Sequence, residues 1–236
     1  MPASLHSIRF PGESDSYRQA RNQLLEAEMH LRRNLENVAA LRRALPLGGQ
    51  LPEDYVFDES PHDAPSGNSD GVGQVRFSQL FEPGKDTLLI YSYMFGPEMK
   101  APCVSCTSIL DGLNGSSPHI RQRANFAVVA RSPLERIREV ARTRGWNNLR
   151  LLSSHGNTYN RDYHGEDEKG AQQPSLNIFV RRDGKIYHFY HTELLFAPTD
   201  PGQDARHVDL IWPVWQLFDL TPEGRGQDWY PKLSYS

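Results

Sequence analysis

The residues best suited to chemistry are the two cysteines of the chain, Cys103 and Cys106, which stand three positions apart. A Cys-x-x-Cys pair can alternate between two thiols and one disulfide, because a thiolate attacks disulfides and a second thiol can complete the exchange. Residues three apart on a helix share a face, which brings the two sulfurs within disulfide-forming distance. We therefore predict that Cys103 is the exposed nucleophile and Cys106 the resolving thiol.

A predicted strand, a loop and a helix start position this pair. Residues 87–95 are apolar, β-branched and aromatic, as in a buried strand. Residues 96–102 are punctuated by Gly and Pro, and Pro102 directly precedes the pair, as at a helix start. Because a helix N-terminus stabilises a thiolate, the pKa of Cys103 should lie below that of a free cysteine. This is the layout of a thioredoxin-like redox centre.

Other interpretations of the cysteine pair remain open. The cysteines can be small buried hydrophobic residues. They can also form half of a zinc site completed by histidines, but His188 and His191 lie three apart on a predicted strand and should face opposite sides. Pro-Cys-x-x-Cys is also half of a zinc-deaminase signature, yet no His-x-Glu precedes the cysteines, as that signature requires. The sequence indicates no resident metal and no cofactor.

Composition narrows the class of protein. The chain has 236 residues, of which 38% are hydrophobic and 23% charged, which is enough for a sizeable globular core. A net charge of −3 gives no case for a nucleic-acid or anionic-membrane partner. Neither a membrane span nor a signal peptide is visible. We expect a cytoplasmic protein, in which two cysteines favour redox chemistry or metal binding over a structural disulfide.

A long amphipathic helix is predicted over residues 15–45, with Ser16 and Gln19 as a capping box. Its apolar side consists of Leu24, Leu31, Leu35, Val38, Leu41 and Leu45. Two interpretations stay open: the helix packs on its own domain, or it is the arm of a homodimer. We predict an N-terminal helical arm over residues 1–50 and a domain with a C-terminal extension over residues 51–236.

The rest of the pattern predicts an α/β fold. After the cysteine helix, which Gly112 and Gly115 should interrupt, there follow a strand at 124–130, a helix with Ser132 as its N-cap that runs to Arg144, and a strand at 149–152. This order requires a parallel sheet with right-handed crossovers. Asp183-Gly184 between two further strands predicts a hairpin. The fold class is therefore a thioredoxin-like central mixed sheet flanked by helices.

Pro174 opens the first strand of that hairpin and should face the cysteines. Thioredoxin-like folds carry a cis-proline at this place, so we predict a cis bond between Gln173 and Pro174. Backbone groups of Gln173 would then be free to pair with a bound extended chain. With Pro102, these two residues are the predicted substrate-binding positions.

Several motifs together resemble a known family of thioredoxin-like bacterial proteins catalogued as a domain of unknown function. The long leading helix and the Cys-x-x-Cys pair are two of the matches. The others are Tyr93-Met-Phe-Gly-Pro97, Asp111-Gly112, Gly145-Trp146, Asn160-Arg-Asp-Tyr163, Phe179-Val-Arg-Arg-Asp-Gly184 and Asp219-Leu-Thr-Pro-Glu-Gly-Arg225. The resemblance implies the fold, a bacterial source and a redox role, but it brings no established substrate. Many members have Pro where this chain has Val104, which bears on redox potential and choice of partner.

The leading hypothesis is a thiol–disulfide oxidoreductase whose substrate is a protein or small-molecule disulfide or thiol. The alternative is a peroxiredoxin-like peroxidase. That family places Thr three residues before the peroxidatic cysteine, whereas Lys100 stands there relative to Cys103. A third hypothesis is a non-enzymatic interaction protein in which the pair binds zinc.

Overall fold

A computed structural model describes residues 5–59, 72–226 and 228–235 of the chain. The chain divides into two compact units, Met1–Pro46 and Leu47–Ser236. Residues 48–51 belong to the second unit because their backbone pairs with its last strand. The Gly48 N–H donates to the His188 carbonyl at 2.9 Å, and the Leu51 N–H donates to the Ile186 carbonyl at 2.8 Å.

The first unit contains the predicted long helix, α1 (Asp15–Arg43). Its N-cap is Ser14, whose Oγ accepts from the Tyr17 N–H at 3.1 Å, so the cap lies two residues before the predicted Ser16. The predicted apolar side is exposed along its length, for example by 57% at Leu31 and 69% at Leu41. Among the helices of the described residues, none combines the length and apolar character needed to cross a membrane.

The second unit is built on a seven-stranded mixed sheet in the order β2-β1-β5-β4-β3-β6-β7. The strands are β1 (Val56–Glu59), β2 (Gly73–Arg76), β3 (Thr87–Tyr93), β4 (Asn125–Ala130), β5 (Leu151–Ser153), β6 (Ser175–Arg182) and β7 (Lys185–His191). The helices are α2 (Val104–Ile120), α3 (Leu134–Arg144), α4 (Tyr159–Asp162) and α5 (Pro213–Phe218). Strands β3, β4 and β5 run parallel, while β6 and β7 form an antiparallel hairpin beside β3.

This topology confirms the predicted fold class. The central strand β3 leads into the helix that begins at the cysteines, has a parallel neighbour on one side and borders an antiparallel hairpin on the other. Successive residues of a strand point to opposite faces, so Tyr91 and Ile90 contribute to two separate cores. The core on the Tyr91 side includes Cys106, Trp146 and residues of α2 and α3. The cysteine pair is therefore anchored in a packed core.

Two local predictions fail where packing overrides propensity. Helix α2 continues through Gly112 and Gly115, although each costs a helix roughly 1 kcal/mol relative to Ala. Burial of its apolar face and the bond from Ser117 Oγ to the Asn148 carbonyl at 2.8 Å hold it in place. Ser132 was the expected cap of α3, but its Oγ donates instead to the loop that precedes the cysteines.

The prediction that His188 and His191 face opposite sides is wrong. A β-bulge near Phe189 shifts the register, so that His191 pairs with Asn177 and His188 pairs with Phe179. His188 Nε2 lies 3.0 Å from the Asn177 Oδ1 atom. An extra residue in one strand reverses the alternation beyond it, which places both histidines on one face.

Candidate functional site

The first cysteine is held at the very start of α2. Cys103 is the N-cap residue, and its N–H donates to the Met94 carbonyl at 3.0 Å, which closes the loop after β3. Its own carbonyl accepts from the Thr107 N–H at 3.0 Å and from the Thr107 hydroxyl at 2.8 Å. Tyr93 supports Thr107 through a hydroxyl–hydroxyl bond of 2.8 Å. The helix N-terminus thus directs its unpaired N–H groups toward Cys103.

The two thiols have opposite electrostatic environments. A hydrogen bond from the Cys106 thiol is the largest factor that lowers the pKa of Cys103, to about 6. The backbone N–H groups of Cys106 and Ser105 and the Ser105 hydroxyl add to it, while partial burial opposes them. The same hydrogen bond raises the pKa of Cys106 well above its ordinary value, and its almost complete burial adds to this. Cys103 is therefore the thiolate and Cys106 the thiol that donates to it.

Tyr91 lies behind the pair on the central strand. Its side chain is fully buried, and burial raises its pKa well above the ordinary value. Its hydroxyl has no hydrogen bond of good geometry among the described residues. It nevertheless lies near enough to the Cys106 thiol for each group to affect the other's pKa. Tyr91 is thus the polar neighbour of the buried thiol on its inner side.

The loop between β3 and the cysteines is fixed by α3. Ser132 donates through its N–H to the Phe95 carbonyl at 2.8 Å and through its Oγ to the Gly96 carbonyl at 3.1 Å. Arg136 donates to the Pro97 carbonyl at 2.7 Å, and its guanidinium carbon lies 4.5 Å from the centre of the Phe95 ring. These contacts make the approach to Cys103 rigid, which favours a fixed thiolate geometry.

The predicted cis bond before Pro174 is wrong: no peptide bond in the described part of the chain is cis, and the Gln173–Pro174 bond is trans. The ordinary trans preference of an X–Pro bond thus applies at this position. The Gln173 N–H donates to the Gly165 carbonyl at 2.9 Å, so that group is engaged within the loop. Strand β6 begins at Ser175, which pairs with Ser92 near the end of β3. Pro174 therefore lies at the same end of the sheet as the cysteine loop.

Sequence reasoning missed the contribution of the C-terminal extension to the surroundings of the cysteines. The Tyr230 hydroxyl hydrogen-bonds with the Ser105 hydroxyl, between the two cysteines. Trp212 Nε1 donates to Ser108 Oγ at 3.1 Å, on the next turn of the same helix. The cluster of Trp and Tyr residues in the extension was a visible sign that this segment packs against something. It does not specify that Tyr230 contacts Ser105, 125 positions away in the sequence.

Zinc binding was one of the rival interpretations of the pair. Within residues 5–59, 72–226 and 228–235, no group of three or more His, Cys, Asp or Glu side chains is arranged to hold a metal ion. Both cysteines are free thiols. The arrangement is chemically able to form one thiolate and to deliver a second thiol to it.

Comparison with known proteins gives a family and several distant structures. The family described as "Bacterial protein of unknown function (DUF899)" matches residues 8–235. No curated protein matches the chain.

Among solved structures, AhpC of Enterococcus faecalis is 12% identical, with 72% of this chain and 92% of that chain aligned at a TM-score of 0.45. Peroxidoxin BcpB of Mycobacterium tuberculosis is also 12% identical, with coverages of 73% and 97% and a TM-score of 0.45. Thioredoxin peroxidase I of Plasmodium yoelii is 15% identical, with coverages of 79% and 100% and a TM-score of 0.46. Similarity at this level does not identify an activity.

Proposed function

We propose that this chain, which belongs to the bacterial DUF899 family, is a thiol–disulfide oxidoreductase that uses Cys103 and Cys106. The observation that carries the proposal is the division of roles between the thiols. A half-buried Cys103 with a pKa of about 6 lies beside a buried Cys106 whose pKa is raised. At neutral pH the first is charged and the second keeps its proton, as nucleophile and resolving thiol require.

The reaction proceeds in two exchanges. The Cys103 thiolate attacks one sulfur of a substrate disulfide, the substrate S–S bond breaks, and one substrate thiolate leaves and takes a proton from water. Cys106 then gives its proton to water and attacks the Cys103 sulfur, which forms the Cys103–Cys106 disulfide, breaks the mixed disulfide and releases the second substrate thiolate. The substrate gains two electrons and the protein loses two; an external dithiol reverses the change in the protein.

Three positions, Pro102, Gln173 and Pro174, are proposed to contact the substrate. Pro102 directly precedes Cys103, and Pro174 lies at the same end of the sheet. The backbone N–H of Gln173 is engaged with Gly165, so contact by this residue would have to use another of its groups. A substrate disulfide of a protein or of a small molecule fits this proposal, and a reducing cytoplasm suits the dithiol form of the pair.

A peroxidase that uses the same thiolate is the alternative. It would give sulfenic acid at Cys103, which Cys106 would then convert to a disulfide with loss of water. Lys100, at the place where peroxiredoxins carry Thr, argues against it. Peroxide consumption that exceeds disulfide reduction under matched conditions would favour this alternative.

The test is the stoichiometry of one turnover with a coloured aromatic disulfide in excess. Reduced wild-type protein should release two aromatic thiolates per chain and keep none, because Cys106 displaces the mixed disulfide. Cys106→Ser should release one and retain one on Cys103, while Cys103→Ser should react far more slowly. If the wild-type protein instead retains an aromatic thiol on each cysteine, the two thiols act independently and the proposal fails.

A further inference from the structure

The C-terminal extension reaches the cysteine pair at one point. Ser105 stands between the two cysteines on the first turn of α2, and its Oγ hydrogen-bonds with the hydroxyl of Tyr230, 125 residues away in the sequence. Neither side chain is buried in the core. In a hydrogen bond between two hydroxyls, one donates and the other accepts. Which of the two donates here decides whether the Ser105 proton goes to Tyr230 or to another acceptor.

We propose that Tyr230 is a positioning residue for the Cys103 thiolate: its hydroxyl donates to Ser105 Oγ and thereby directs the Ser105 proton to the Cys103 sulfur. The inference rests on the proposed nucleophilic role of Cys103. Tyr230 belongs to the C-terminal extension and acts on Cys103 through Ser105, without contacting the reacting sulfur itself.

The donor and acceptor inventory sets the direction of the Tyr230–Ser105 hydrogen bond once Ser105 donates to the sulfur. A thiolate only accepts, whereas a serine hydroxyl has one proton and two lone pairs. If Ser105 donates to Cys103, the proton shared with Tyr230 must come from the tyrosine. The Ser105 hydroxyl is among the groups that lower the pKa of Cys103, which agrees with donation toward the sulfur.

Tyr230 is held from both sides. The centre of its ring lies 6.1 Å from that of Trp215 in α5, and Trp215 packs against the core that includes Cys106. Beyond it, Arg144 Nη1 donates to the Leu233 carbonyl at 2.6 Å, which fastens the chain to the end of α3. With both sides fixed, the hydroxyl is presented to Ser105 without the entropy loss of ordering a free segment.

The test measures the pKa of Cys103 from the pH dependence of alkylation, with the label assigned to Cys103 by tandem mass spectrometry. Tyr230→Phe removes one oxygen atom and should raise the pKa by about half a unit, and Ser105→Ala by about one unit. At pH 6 these shifts lower the thiolate fraction about twofold and about fivefold. Tyr235→Phe is the matched control, since its hydroxyl accepts only from the Lys232 N–H among the contacts described.

Double variants distinguish an effect that passes through the Ser105 hydroxyl from a general loss of structure. Adding Tyr230→Phe to Ser105→Ala should cause no further shift, whereas adding it to Ser105→Thr, which keeps a hydroxyl, should cause the full half unit. The inference is overturned if Cys103 is acidic but Tyr230→Phe leaves its pKa unchanged, or if Tyr230→Phe shifts the pKa equally in the Ser105→Ala and Ser105→Thr backgrounds. Either result would leave the proposed function unaffected. A wild-type Cys103 that titrates like a free cysteine overturns the proposed function itself.

Discussion

Removing the thiol of Cys106 should make Cys103 a weaker acid, because that thiol is the largest factor that lowers the pKa of Cys103 to about 6. A hydrogen bond to a charged group contributes about 1.5–3 kcal/mol, and a thiol is a weak donor, so the lower value applies. One pKa unit corresponds to about 1.36 kcal/mol. In Cys106→Ala the pKa of Cys103 should therefore rise by about one unit, while the backbone N–H groups keep it below that of a free cysteine.

The sign of the pH dependence follows from this shift. The rate of Cys103 alkylation rises with pH as the thiolate forms, with its midpoint near pH 6 in the wild-type protein and about one unit higher in Cys106→Ala. At pH 6 the variant should react about fivefold more slowly, and above pH 8.5 the two rates should converge. The assay is iodoacetamide labelling across this range, with thiolate absorbance in the ultraviolet as an independent measure.

Cys106→Ser is the matched control because it retains a side-chain donor at the same place. Its Cys103 pKa should stay within about half a unit of the wild-type value. If Cys106→Ala and Cys106→Ser shift the pKa equally, or neither shifts it, the hydrogen bond is not the cause and the reasoning is refuted. The helix N-terminus would then be the remaining explanation for an acidic Cys103.

Three further results are expected. Asp111→Asn breaks a partly buried ion pair and should lower the free energy of unfolding in urea by about 1–2 kcal/mol. The control Asp86→Asn breaks a more exposed ion pair and should lower it by less than about 0.5 kcal/mol, so equal losses would contradict this prediction. Gly145→Ala should lower the free energy of unfolding by about 1 kcal/mol because the backbone φ there is +68°, whereas Gly112→Ala in the exposed part of α2 should raise it by about 0.5–1 kcal/mol. Both are measured by thermal unfolding, and changes of the same sign would refute the conformational argument. The exposed leucine side of α1 should associate with the same helix of a second copy of the chain. The full-length protein should therefore sediment as a dimer and a chain starting near residue 47 as a monomer, and a full-length monomer at high micromolar concentration would exclude this association.

Local patterns carried most of the fold prediction. The apolar run of β3, the Asp183-Gly184 turn and the glycine that ends α3 each follow from backbone preferences that act within a few residues. The same rules failed at Gly112, where side-chain packing outweighed a propensity cost of about 1 kcal/mol. They also failed at His191, because a β-bulge has no reliable signature in one sequence.

The chemistry of the site and its place at a helix start were predictable, but the contacts around it were not. The Cys-x-x-Cys spacing specified the pair and its place at the helix start, where the structure also has it. The cis bond before Pro174 was inferred from the fold class, and the structure has the ordinary trans bond. The hydrogen bond from Gln173 to Gly165 is one that no local pattern reveals. Tyr230 could not be identified for a similar reason, since its partner is set by how the extension folds back on the domain.

The most direct test of the central claim is a redox titration of the cysteine pair. The protein is equilibrated in glutathione buffers of graded potential, quenched with acid, and analysed by mass spectrometry for the state of Cys103 and Cys106. We predict one reversible two-electron transition, with a slope of about 29.6 mV per tenfold change, in which both thiols disappear together into an intramolecular disulfide. Thiols that become glutathionylated separately, or that stay reduced at every potential, would contradict it.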